Sequence, residues 1–150
     1  MVNEDYEALY QKKQALKSLR DNIGLFGLKC FPTALNKATP PFHREIYRDL
    51  RNRSKKRVLI AAPRGTAKST VTSLLLPMHR IAFKGDDEEE FIVIISESQA
   101  QSINFLSRIK YHLTHSDNFK MLFGDMGPNT ARRWTATDIV TANGVRIVAV

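Results

Sequence analysis

The stretch that most constrains this chain runs from Arg57 to Val71: Arg57-Val-Leu-Ile-Ala-Ala-Pro-Arg-Gly-Thr-Ala-Lys-Ser-Thr-Val71. Val58 to Ala62 form a continuous apolar run, the pattern of a strand buried on both faces. A Pro63-Arg64-Gly65 turn follows, then Thr66-Ala67-Lys68-Ser69-Thr70. Val71, Leu74, Leu75 and Met78 then recur at helical spacing. Strand, tight loop and helix in that order are the setting of a phosphate-binding loop. Backbone N–H groups at a helix start, with the positive end of its dipole, form an anion site. Lys68 would place a point charge on β- and γ-phosphates, and Ser69 would offer a hydroxyl to Mg²⁺. Ala62 and Ala67 stand where the usual pattern has glycine, so only Gly65 remains within the loop. The plainer alternative is a strand-to-helix turn with a surface lysine and a Ser/Thr cap.

Charge gives the second constraint. The 150 residues carry a formal +8. Residues 1–57 hold 13 Lys/Arg against 6 Asp/Glu, and residues 58–150 hold 10 against 9. The excess therefore lies ahead of the loop, densest from Arg51 to Arg57. Such a cluster suits phosphate backbones of DNA or RNA, or equally a solvated connector. The single cysteine, Cys30, excludes an internal disulfide framework and fits a reducing compartment as a small buried residue. The charged N-terminal stretch lacks signal-peptide form, and no run has the length of an apolar membrane span. These features predict a soluble intracellular protein.

Along the chain, residues 3 to about 23 read as a helix with Tyr6, Leu9, Leu16, Leu19 and Ile23 on one side, Asn3, Glu4 and Asp5 at its start, and Gly24 and Gly27 breaking the pattern. A proline-rich loop follows to Pro41. Residues 41–50 form a helix with Phe42, Ile46 and Leu50 as its stripe. Pro77 is expected to kink or end the helix after the loop. Lys84 to Glu90 is an acidic link, Phe91 to Ile95 a second apolar strand, and Ile103 to Leu113 the apolar side of a long helix. A short helical turn is expected at Asn118 to Phe123, a loop at Gly124 to Asn129, and a hairpin about Asn143-Gly144 from Ile139 to Val150. His79 reads as a surface residue. His112 and His115 share a helix face without a third metal ligand, and Trp134 reads as a half-buried hydrophobe sooner than a base-stacking platform. Alternating strands and helices predict an α/β fold with a mainly parallel sheet.

A nucleotide hydrolase of this kind also needs an apolar strand ending in acids, to hold Mg²⁺ and orient water. Asp117, Asp125 and Asp138 lie in polar or loop contexts. Glu97, after the second strand, reads as a helix N-terminal charge sooner than as a catalytic base. Val150 falls inside an apolar strand, so the chain is expected to be the front part of a longer protein.

Pro41-Phe42-His43-Arg44-Glu45 together with Arg57 to Ser69 resembles the large terminase subunits of tailed bacteriophages. The similarity extends to Phe91 through Ala100, with its Ser-x-x-Gln-Ala, and to Phe123-Gly124-Asp125, Trp134 and Asn143-Gly144. It covers about residues 41–150, and the loop is its most specific part. It implies a P-loop NTPase of the RecA/ASCE-like type, a mainly parallel sheet flanked by helices, incomplete because the chain stops before the Walker B strand. Residues 1–40 would be an N-terminal helix and proline-rich linker, and residues 41–150 the first part of the ATPase domain. The resemblance further implies an ATPase that pumps double-stranded DNA into a procapsid, acting as a homo-oligomeric ring with the portal protein and the small terminase subunit. It would work in the host cytoplasm at the portal vertex, with no membrane contact. Carried over, Lys68 and Arg64 would be catalytic, and Pro63, Arg64, Gly65, Thr66, Ala67, Lys68, Ser69 and Thr70 would hold ATP. Ser69 would bind Mg²⁺, and Phe42 and His43 would contact adenine. The competing readings are a nucleotide- or DNA-binding fragment without hydrolysis, and a helicase-like P-loop ATPase.

Overall fold

The computed structural model describes residues 2–35, 39–86 and 88–150. Asn36 to Ala38 of the proline-rich loop and Asp87 of the acidic link lie outside the described residues, as do the side chains of Val2 to Tyr6. Its contacts divide the chain into two units, Met1–Leu59 and Ile60–Val150.

The first unit is helical: α1 (Val2–Asp21), α2 (Ile23–Cys30) and α3 (Pro41–Arg51). Leu19, Ile23, Phe26, Cys30, Phe31 and Tyr47 are buried. Gly24 and Gly27 do not break a helix as expected; they lie inside α2. The break falls at Asn22, whose side chain accepts the Leu25 N–H at 2.9 Å and caps the new helix. Gly24 is tolerated there for a tertiary reason. A Cβ at this position would stand 2.7 Å from the Tyr47 ring, so glycine lets α2 approach α3. Burial pushes the Cys30 thiol up to about 12, which keeps it protonated and inert.

The second unit joins a helical run, residues 68–82, to a four-stranded sheet. The run comprises α4 (Lys68–Thr70), a π-helical turn (Val71–Leu75) and α5 (Leu76–Ala82). Pro77 does not end this helix. The wider turn just before it, in which Leu76 N–H reaches Val71 O, takes up the lost donor and the ring. The strands are β1 (Phe91–Ile94), β2 (Arg133–Trp134), β3 (Asp138–Val140) and β4 (Arg146–Ala149), in the order β1-β4-β3-β2. Helices α6 (Gln99–His115) and α7 (Asp117–Phe123) lie between β1 and β2 in the chain. Ser98 caps α6 by accepting the Gln101 N–H, and Ser116 caps α7 through Phe119 N–H.

The sheet is mixed. β1 and β4 are parallel, whereas β2, β3 and β4 form an antiparallel meander. The expected hairpin is present, with Gly144 at φ 85° supplying the left-handed turn residue. Asn143 Nδ2 also donates to Ile81 O at 2.7 Å, tying the turn to the end of α5. Register sets the faces, because cross-strand partners project to the same side. Ile92, Ile147, Ile139 and Trp134 form one inner row, and Ile94 and Ala149 another. Against that side α6 buries Leu106, Ile109 and Leu113, joined by Val71, Leu74, Leu75, Met78 and Ile81 of the helical run. The outer side stays wet, with Phe91 61% and Val93 44% exposed.

Two further expectations differ. Val58 to Ala62 join no ladder: residues 55–63 carry no regular structure, and Leu59 is 94% exposed. An apolar run becomes a buried strand only where neighbouring strands complete its hydrogen bonds, and among the described residues none pairs with it. His79 is buried rather than on the surface, its ring 4.8 Å from that of Phe83.

On the outer side Asp138 holds two cations. Arg133 Nη1 donates to it at 2.6 Å, and Arg146 donates through Nε at 3.1 Å and Nη2 at 2.8 Å. The Arg146 and Arg133 hydrogen bonds hold the Asp138 carboxyl below its ordinary value. A depressed folded-state pKa means that this stabilisation is complete above the unfolded value of about 3.9. It is lost as pH falls through the lower folded value. Asp138→Asn is therefore expected to lower the melting temperature at pH 6 and to flatten its fall in acid, as read by thermal melts across pH. An unchanged acid limb in the variant would show that the triad carries no such linkage.

Candidate phosphate-binding loop

The loop from Pro63 to Ala67 bends through two left-handed residues. Gly65 has φ 80°, with open space where a Cβ would stand. Ala67 has φ 57° and ψ 21°, the only described non-glycine residue with positive φ. This is the position at which the phosphate-loop pattern has glycine, so alanine carries a backbone cost of roughly 1–2 kcal/mol there. Ala67→Gly should consequently raise stability by about 1 kcal/mol despite the added unfolded-chain entropy. Chemical denaturation measures this, and a destabilised variant would mean that the loop does not hold that conformation.

Thr66 Oγ1 donates to Pro63 O at 2.7 Å. The Lys68 ammonium folds back under the bend and donates to Pro63 O at 2.9 Å and to Ala62 O. An ammonium has three donors, so two carbonyls fix its position and leave one for an anion. Val71 N–H donates to Ala67 O at 3.0 Å, and the helical run starts at Lys68. Ser69 is exposed at its second residue, Thr70 is half-buried, and Arg64 is exposed on the turn. The first amides of a helix have no partner within it, which leaves donors facing the bend.

The structure thus brings Pro63 to Thr70 into one bend at a helix start. Phe42 and His43 belong to the first unit, at the start of α3. His43 is buried, its ring 4.5 Å from Phe42 and 5.8 Å from Tyr47, while Phe42 is 38% exposed. Glu97 is exposed just before the α6 cap.

Other residues singled out by sequence fall elsewhere. His115 Nδ1 lies 3.0 Å from Tyr111 O, and burial lowers the pKa of His112, with Arg108 adding to the effect. Trp134 is half-buried in the inner row, with the Lys110 ammonium 5.3 Å from its ring centroid. No group of three potential metal ligands occurs among the described residues. No described helix is long and apolar enough to cross a membrane. Sequence reasoning missed the retraction of Lys68 onto the Ala62 and Pro63 carbonyls, for which the sequence holds no signal. The left-handed Ala67 could have been found from its place in the motif.

No protein-family model matches this chain, and no curated protein matches it.

Proposed function

We propose that this chain is the ATP-binding part of a DNA-translocating motor of the terminase large-subunit kind, coupling ATP hydrolysis to movement of double-stranded DNA into a procapsid. The observation that carries the reading is the loop: a left-handed Gly65 and Ala67, a retracted Lys68 ammonium, and an exposed Ser69 hydroxyl at a helix start. Those groups fit a polyphosphate. The amides of Gly65 to Ser69 and the Lys68 ammonium would hold its oxygens, and Ser69 would give Mg²⁺ one hydroxyl ligand. Arg64 would lie beside the terminal phosphate. When bound, ATP supplies the free energy of γ-phosphoryl transfer to water; the residues here bind and orient it. Double-stranded DNA, the portal protein, the small terminase subunit and a ring of copies at the portal vertex belong to the same proposal, on the strength of the resemblance.

Equilibrium binding of a fluorescent ATP analogue, with and without Mg²⁺, tests it. Saturable binding that tightens with Mg²⁺ and is displaced by unlabelled ATP is the expected result. Absence of binding in a folded sample would overturn the site. Unwinding of a forked duplex would replace the packaging reading with a helicase one.

A further inference from the structure

The first unit carries a second anion-seeking feature. A concavity of about 410 Å³ is lined by Arg48, Asp49, Arg51, Asn52, Arg53 and Lys55, from the last turn of α3 and the turn that follows. Four cations thus face one carboxylate. That carboxylate is itself engaged, since Asp49 accepts the Lys55 ammonium at 2.7 Å. Arg51 reaches Asp21 at 3.3 Å, a pair about half exposed on both sides. The turn is locally fixed: Asn52 Oδ1 accepts the Ser54 N–H at 3.0 Å and its hydroxyl at 2.6 Å, and Lys55 N–H donates to Asn52 O at 3.0 Å. Exposed Lys56 and Arg57 extend the charge along the chain.

We propose that this concavity seats the phosphodiester backbone of a nucleic-acid duplex. The exposure and the composition of the lining choose that ligand class. The cations are exposed, so a small anion would be held only through solvent-screened contacts of little worth. A polyanion gains in addition from the counterions it releases on binding. The lining holds no aromatic ring, and such rings are the platforms that hold unpaired bases. Arg48, Arg51, Arg53 and Lys55 can each meet phosphate oxygens, and phosphate contacts position a duplex without reading its sequence. The inference rests on the nucleic-acid part of the function proposed above and is independent of the Lys68 loop.

Fluorescence anisotropy with a labelled DNA duplex, over a salt series, tests it on the whole chain. Arg48→Gln with Arg53→Gln should lower the slope of log affinity against log salt by about 0.9 per contact removed, and weaken binding about tenfold per contact. Lys12→Gln with Lys13→Gln, an equal charge change on α1, should leave both unchanged, which separates this site from net charge. Circular dichroism checks that each variant is folded. Wild-type slope and affinity in the Arg48/Arg53 variant would overturn the proposal. So would displacement of the duplex by inorganic phosphate at matched ionic strength, which would mark a small-anion site, or preferential binding of unpaired strand. ATP-analogue binding by the same variant separates the two claims. Retained ATP binding with lost duplex binding is expected, whereas duplex binding in a chain that never binds ATP would remove the loop reading alone.

Discussion

Lys68→Ala is expected to reduce the ATP turnover proposed above about a hundredfold or more, the scale seen when one preorganised donor to a developing charge is removed. Lys68 is already positioned, because the Ala62 and Pro63 carbonyls hold its ammonium beneath the bend. Its loss removes the positive charge that those two carbonyls hold beneath the bend. The same substitution should change folding stability little. The two carbonyls border exposed backbone and water can replace the ammonium, so a shift within about 0.5 kcal/mol is expected. Turnover and melting temperature measured on one sample separate the outcomes. Undiminished turnover with an unchanged melt would rule out the loop as the nucleotide site. Lost turnover with a collapsed melt would instead assign Lys68 a structural role.

Leu106→Ala and Leu59→Ala should differ by several kcal/mol. Leu106 is fully buried on the side of α6 that packs against β4, beside Ile109 and Leu113. Truncating such a leucine costs about 2–5 kcal/mol, as lost transfer energy plus the cavity left behind. Leu59 is as large and as apolar but 94% exposed. Its truncation should fall within about 0.5 kcal/mol of wild type. Urea denaturation of the two variants measures the contrast. A large cost at Leu59 would mean that Val58 to Ala62 is covered in solution, and the strand expected from the sequence would be restored. A small cost at Leu106 would contradict the core described for the second unit.

Much of the fold could be read from the chain because its signals were local. Pro41 at a helix start, Ser98 before α6, four successive apolar residues in β1 and Asn143-Gly144 each specify structure within a few residues. The loop and its helix start were legible for the same reason: Gly65 and Lys68-Ser69 mark a turn entering a helix. What escaped depends on distant partners. Gly24 sits inside α2 because the Tyr47 ring needs the space, and nothing near Gly24 in the sequence says so. β2 is only two residues long and exists by pairing with β3, so no periodicity announces it. Asp138 reads as a loop acid until register sets Arg133 and Arg146 beside it. Val58 to Ala62 shows the converse: the composition of a buried strand is necessary for one, but ladder partners make it.

The uncovered side of the sheet has a calorimetric consequence. Phe91 and Val93 on that side, with Val58, Leu59 and Ile95 outside the strands, already meet water in the folded chain, so melting adds less newly hydrated hydrocarbon than residue number implies. Heat capacity rises on unfolding in proportion to that newly wetted hydrocarbon. The increment per residue should therefore lie below the common ~12–15 cal/mol/K. A smaller increment gives free energy a shallower curvature with temperature, so stability declines gently on both cooling and warming from its maximum.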